Sequence, residues 1–132
     1  MDCLLGTLFF YRYSVKESVF MNAQPIKLNK DFRRLYRSGK SEAGGFVVVY
    51  AKPNKRDYNR VGFTVGKQLG KAVVRNRTKR LMRESLRLVE DRLCVGYDLI
   101  IVARNRAADK TYEQISKDLR YVLRTLGILN EN

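Results

Sequence analysis

Near Lys71 the spacing of apolar residues changes, and the change commits the chain to a strand that hands over to a long amphipathic helix. Upstream, Arg60-Val-Gly-Phe-Thr-Val65 is rich in β-branched and aromatic residues, as a strand requires. Downstream, Val74, Thr78, Leu81, Met82, Ser85 and Val89 recur at intervals of three and four, which defines one inward helical face. Asn76, Lys79, Arg80, Arg83 and Arg87 fall on the opposite face. A second strand is expected at Phe46–Tyr50, released by Gly44-Gly45. The turn-rich Pro53–Asp57 separates the two runs, so they are expected to form an antiparallel pair. A third strand follows Gly96 at Tyr97–Ala103. Two more helices complete the pattern. One starts with Asn29 as N-cap, runs through Phe32, Leu35 and Tyr36 and stops at Gly39. The other starts with a Thr111/Gln114 capping box, buries Ile115, Leu119, Val122 and Leu126 and ends at Gly127. The expected order is α-β-β-α-β-α around a small mixed sheet, an α+β sandwich.

The 132 residues suit one domain, and their charge is unevenly spread. Lys and Arg number 27 against 13 Asp and Glu, a formal charge of +14, yet Arg12 and Lys16 cancel Asp2 and Glu17 in residues 1–21. Residues 1–24 are therefore expected to be an appendage, either a mobile extension or a start assigned too early ahead of Met21. Residues 25–132 form the expected single domain. A folded domain of this charge calls for a polyanionic partner. The apolar stretch Leu4–Tyr11 is interrupted by Gly6 and Thr7 and is far shorter than the ~20 residues of a membrane span. Neither a membrane nor a secretory destination is expected, which leaves the cytoplasm. The sequence contains 0 His, which removes paired-His ribonuclease chemistry, Ser-His-Asp hydrolysis and most zinc sites. Cys3 and Cys94 stand far apart and are expected to be free thiols without a disulfide partner, Cys94 in the core.

The segment Lys67–Arg83 carries Lys67, Lys71, Arg75, Arg77, Lys79, Arg80 and Arg83 and no acidic residue. Solvated basic helices usually intersperse Glu so that i,i+4 pairs offset repulsion, whereas Arg75, Lys79 and Arg83 stack at i, i+4 and i+8 with nothing to neutralise them. Such a row suits phosphates. Asn76 adds an amide that both donates and accepts, useful at a phosphate, a ribose hydroxyl or a base edge. A structural RNA-binding protein, ribosomal or an assembly factor, explains this charge equally well.

The wider context is more specific. Val61-Gly-Phe-Thr-Val-Gly-Lys67 followed by Gly70-Lys-Ala-Val-Val-Arg-Asn-Arg-Thr-Lys-Arg-Leu-Met-Arg-Glu84 resembles the signature of the bacterial ribonuclease P protein subunit. Lys27–Gly39 looks like that family's first helix and Tyr97–Arg104 like its late strand, so the likeness spans about residues 26–127. Gln68 departs from the pattern, standing where the family often has a basic residue. The resemblance implies an accessory subunit of a ribonucleoprotein in which a large RNA, with its own bound Mg²⁺, removes the 5′ leader of precursor tRNA. It implies a left-handed β-α-β crossover within the sandwich, against the usual hand. By position it implies contact with the catalytic RNA through Arg75, Asn76, Arg77, Lys79, Arg80 and Arg83, with Lys67 and Lys71 beside them. It further implies a leader-binding cleft with Phe32, Tyr36 and Tyr50, and neither a catalytic residue nor a metal ligand in the protein. Read as residues alone, Phe32 and Tyr36 at i,i+4 also fit a helix packed into a core.

Overall fold

The computed structural model describes residues 23–130. In chain order its elements are β1 (Gln24–Pro25), α1 (Asn29–Ser38), β2 (Lys40–Ala43), β3 (Val47–Pro53), β4 (Arg60–Val65), α2 (Ala72–Val89), β5 (Tyr97–Ala103) and α3 (Tyr112–Leu126). Leu99, Ile100 and Ile101 are consecutive and all buried, so both faces of β5 must be covered, the pattern of a central strand. The sheet order is β1-β4-β5-β3-β2, with β5 parallel to β4 and antiparallel to β3. The expected antiparallel pair between β3 and β4 is therefore not formed, because the more apolar β5 inserts between them. The crossover through α2 joins neighbouring parallel strands. β1 and β2 were not expected. One is only 2 residues long and the other, Lys-Ser-Glu-Ala, is a polar edge strand held by its register with β3.

Strand alternation divides the sheet into two faces. Val47, Val49, Ala51, Val61, Leu99, Ile101 and Ala103 point toward α2 and α3, where they join Met82, Leu86, Ile115, Leu119 and Leu123 in the main core. Among the described residues the opposite face is covered by α1 and the segment before it, through a smaller cluster of Ile26, Leu35 and Ile100 with Phe32, Tyr50 and Val102 packed against it. The helix ends largely follow the sequence. Thr111 and Gln114 form the expected capping box, and Gly127 ends α3 in the left-handed conformation at φ 81°. Two details differ. The N-cap of α1 is Leu28, whose carbonyl accepts from the Asp31 and Phe32 amides, and Asn29 is already helical without a side-chain cap. Leu86 and Leu123 are buried at positions beyond the expected apolar faces of their helices.

The main part of the expected appendage, residues 1–22, lies outside the described residues. Ala23 packs on the main core and Gln24 pairs with Arg60, so both belong to the fold. Cys94 is buried as expected but is disulfide-bonded rather than free. Separation along the chain sets no limit on approach in space, which is what a disulfide requires. The chain's other cysteine, Cys3, lies outside the described residues. Among the described residues no helix is long and apolar enough to cross a membrane.

Candidate nucleic-acid interface

The basic helix α2 is anchored by its apolar side and leaves its cations facing outward. Thr78 and Ser85 are buried, but each hydroxyl donates to a carbonyl one turn back, Val74 and Leu81 respectively, so the core side holds no orphan hydroxyl. The N-cap is Lys71, with no acidic residue in the first turn. Positive side chains at a helix N-terminus add to the positive end of the helix dipole, so this end is electrostatically unfavourable until an anion neutralises it. Among the described residues no carboxylate pairs with Lys67, Lys71, Arg75, Arg77, Lys79, Arg80 or Arg83.

These residues are not equivalent. Lys67, Lys71, Asn76, Arg80 and Arg83 are exposed, whereas Arg75, Arg77 and Lys79 are half-buried. Arg75 donates from Nε to the Gly70 carbonyl at 3.2 Å, which folds the side chain back over the helix start. Arg77 donates to the Lys110 carbonyl at 3.1 Å and so ties α2 to the segment leading into α3. The Arg83 guanidinium lies over the Phe63 ring, 5.5 Å from its centroid, which holds the charge at the surface above β4.

The residues expected to form the cleft lie on the other sheet face, in positions set by register. Three cross-strand rows point toward α1: Lys52–Asp98–Arg60, Tyr50–Ile100–Gly62 and Val48–Val102–Thr64. The first row docks the helix. Arg60 forms a bidentate pair with Asp98, at 2.9 Å from Nε and 2.6 Å from Nη2, and reaches Asp31 of α1 at 3.4 Å. Asn54 also donates to Asp98 at 2.9 Å. Burial alone would raise the Asp98 pKa, but the hydrogen bonds from Arg60 and Asn54 and the Arg60 charge outweigh it and hold the carboxyl below its ordinary value. The hydrogen bond to Asp98 raises the Arg60 pKa against the opposing effect of burial.

The second row places Phe32, the residue after Asp31. Its ring lies so close to Gly62 that a Cβ there would sit 2.6 Å from Cζ, so only glycine fits. Phe32 and Tyr50 are both half-buried against the cluster of Ile26, Leu35 and Ile100. The third row is half-buried. Over it Tyr36 and Tyr50 meet edge to face, with centroids 4.8 Å apart at 84°, and the Tyr36 hydroxyl lies 3.4 Å from Thr64 Oγ1. Tyr36 is 41% exposed, so its ring remains accessible. The structure therefore brings all three expected aromatics together on the α1 side of the sheet, Phe32 and Tyr50 half-buried and Tyr36 exposed. Thr64, Val102 and Phe63 were missed by sequence reasoning. Strand parity places Thr64 in line with Gly62, but its pairing with Val102 depends on β5 being central.

Three carboxylates, the residue type that suits Mg²⁺, are committed within the fold. Asp31 and Asp98 are held by Arg60, and Asp118 accepts from the Gly45, Phe46 and Val47 amides. The described residues contain no group of three or more His, Cys, Asp or Glu placed to hold a metal.

A mixed α/β sandwich with an uncompensated cationic helix on one face and an aromatic cluster on the other belongs to the RNA-binding class of small domains. Comparison with known proteins narrows it. The family model for ribonuclease P matches residues 20–127. The chain is 41% identical over 105 residues to the ribonuclease P protein component of Alkaliphilus oremlandii, covering 80% of this chain and 92% of the relative. It is 44% identical over 111 residues to that of Clostridium botulinum (strain 657 / Type Ba4), covering 83% of this chain and 100% of the relative. Among solved structures, the Staphylococcus aureus RNase P protein matches with TM-score 0.76 and 40% identity over 83% of this chain and 100% of that one. The Thermotoga maritima RNase P protein matches with TM-score 0.70 and 27% identity over 76% and 96%. The chain belongs to the ribonuclease P protein family, and so to an endoribonuclease complex of tRNA processing.

Proposed function

We propose that the chain is the RNA-binding accessory subunit of ribonuclease P, that α2 holds the catalytic RNA, and that the cleft between α1 and the sheet takes the single-stranded 5′ leader of precursor tRNA. The observation that carries this reading is the placement of the two surfaces. Thr64, on the α1 side of the sheet, is followed directly by the segment that turns through Lys67–Leu69 into α2, so both surfaces meet at one end of the sheet. An RNA bound along Arg75, Asn76, Lys79, Arg80 and Arg83, with Lys67 and Lys71 at the helix start, would lie next to a leader passing Tyr36 and Tyr50. Arg77 contributes mainly by fixing the segment before α3.

Under this reading the protein supplies charge and position rather than bond cleavage. The chain has 0 His, and the carboxylates that face α1 from the sheet and the helix, Asp98 and Asp31, are both bound to Arg60 rather than left free for acid–base work. Hydrolysis would then belong to the RNA subunit, and Mg²⁺ held by RNA phosphates would supply the metal-assisted chemistry. The α2 cations lower the repulsion between two crowded polyanions. The tyrosines accept bases of any sequence, since every base has a π-face. The cytoplasm, where precursor tRNA is processed, is the compartment this role requires.

The test is reconstitution. Protein freed of RNA should not cut precursor tRNA, the RNA alone should be weak at low Mg²⁺, and the two together should cut efficiently. Cleavage by the RNA-free protein would overturn the assignment.

A further inference from the structure

Helix α2 and the cleft leave a third cationic region unexplained. Residues 104–124 hold Arg104, Arg106, Lys110, Lys117, Arg120 and Arg124 against Asp109, Glu113 and Asp118. One of those acids is turned inward. Asp118 accepts from the backbone amides of Gly45, Phe46 and Val47 at 2.9, 2.8 and 3.0 Å, which pins the β2–β3 loop onto α3. That latch fixes Phe46 beside α3, with Lys110 Nζ 5.2 Å and the Arg106 guanidinium carbon 6.0 Å from its ring centroid. A groove of about 340 Å³ runs between Phe46 and α3, lined also by Gln114, Lys117, Asp118, Tyr121 and Arg124; the Asp118 carboxylate at its wall is the one taken up by the loop amides. Tyr121 is 50% exposed, so its ring is accessible from solvent.

We propose that this groove is a further RNA-contact site, taking one unpaired nucleotide with its base against Tyr121 and its flanking phosphates on Lys117 in the groove and on Lys110 and Arg106, which lie outside it against the Phe46 ring, Lys110 also 3.8 Å from Asp109. Such a volume lies at the small end of ligand sites, which run from about 300 to 1,000 Å³. Aromatic faces interleaved with cations are the chemistry that recognises single strands. A second copy of the chain fits poorly, because it would bring two molecules of charge +14 together at a basic patch. The groove is also coupled to α2, since Arg77 donates to the carbonyl of Lys110. One RNA held along α2 can therefore continue onto α3.

This inference rests on the RNA-subunit reading, and the experiment separates the two. The probe is a single-stranded oligoribonucleotide carrying 2-aminopurine, added to the full chain with Tyr36→Ala to weaken the cleft. Adding Tyr121→Ala should weaken the remaining binding about 5- to 100-fold, and Lys110→Ala with Lys117→Ala should lower its salt dependence. Tyr121→Leu, which keeps apolar bulk without the aromatic face, guards against a folding artefact and should weaken binding similarly. If these variants bind as their parent does while Arg80→Ala with Arg83→Ala loses affinity for the catalytic RNA, the groove inference fails and the subunit reading stands. If none of the variants loses RNA affinity, the subunit reading fails as well. Self-association of the chain that disappears with Tyr121→Ala would assign the groove to a second copy and overturn the proposal.

Discussion

Within one helix turn, neighbouring cations carry different loads. Arg77 makes an intramolecular bond to the Lys110 carbonyl, whereas Arg80 is exposed and has no carboxylate partner among the described residues. Arg77→Ala should therefore cost stability, on the order of 1.5–3 kcal/mol for a hydrogen bond from a charged donor, read as a lower urea midpoint. Arg80→Ala should leave the midpoint unchanged and instead reduce the salt slope of RNA binding by roughly 0.7 to 0.9, the increment for one phosphate that is no longer neutralised. Gly62 tests the cleft wall in the same way. Because a Cβ there would press into the Phe32 ring, Gly62→Ala should cost about 1–3 kcal/mol as overpacking. It should also weaken leader binding by shifting α1, while affinity for the catalytic RNA is kept. These distinctions were only half legible in the sequence. The uncompensated row on α2 shows in the spacing of Arg75, Lys79 and Arg83, but whether a given arginine faces water or a carbonyl depends on which segment packs beside it.

At the scale of elements, α1 is held to the sheet by an ion cluster at one end and carries the exposed Tyr36 toward the other. Arg60 joins Asp31 of α1 to Asp98 of the central strand. Removing one partner of a buried pair costs about 3–5 kcal/mol, and Arg60→Met should fall near the lower end because the side chains keep 18% and 13% exposure. The cluster also sets an acid limit. The Asp98 carboxyl titrates below its ordinary value in the folded state, so the unfolded chain binds that proton more readily. The stabilisation is complete above about pH 5 and is lost as pH falls below about 4. Urea midpoints measured from pH 7 to pH 3 should show this fall, and Asp98→Asn should flatten it. The sequence signalled the helices well, because capping and period are local: the Thr111/Gln114 box and the Gly127 stop are where they were expected. Sheet order was not legible. The runs now forming β3 and β4 are close in sequence and invite a hairpin, but Leu99–Ile101 outcompete that pairing by needing cover on both faces. The polar β2 has no strand signal of its own, and Cys94 gives none of its disulfide.

For the whole molecule, a charge of +14 opposes compaction, and the cationic start of α2 concentrates that cost at one helix end. Inorganic phosphate or RNA should therefore raise the melting temperature, more steeply for the parent chain than for Lys71→Ala with Arg75→Ala; equal shifts would place the anion elsewhere. The central claim is that opposite faces of one sheet do separable work, one for the catalytic RNA and one for the leader. Its most direct test measures holoenzyme affinity for precursor tRNAs whose leaders run from one nucleotide to about ten, using the parent chain, Tyr36→Ala, Tyr50→Ala and Arg80→Ala with Arg83→Ala. Each tyrosine variant should assemble normally with the RNA and bind one-nucleotide leaders like the parent. With long leaders each should weaken by about 1–3 kcal/mol per base that no longer stacks. The double arginine variant should fail to assemble, whatever the leader length. Tyrosine variants whose affinity is indifferent to leader length, or that melt early because the rings are core residues, would contradict the account.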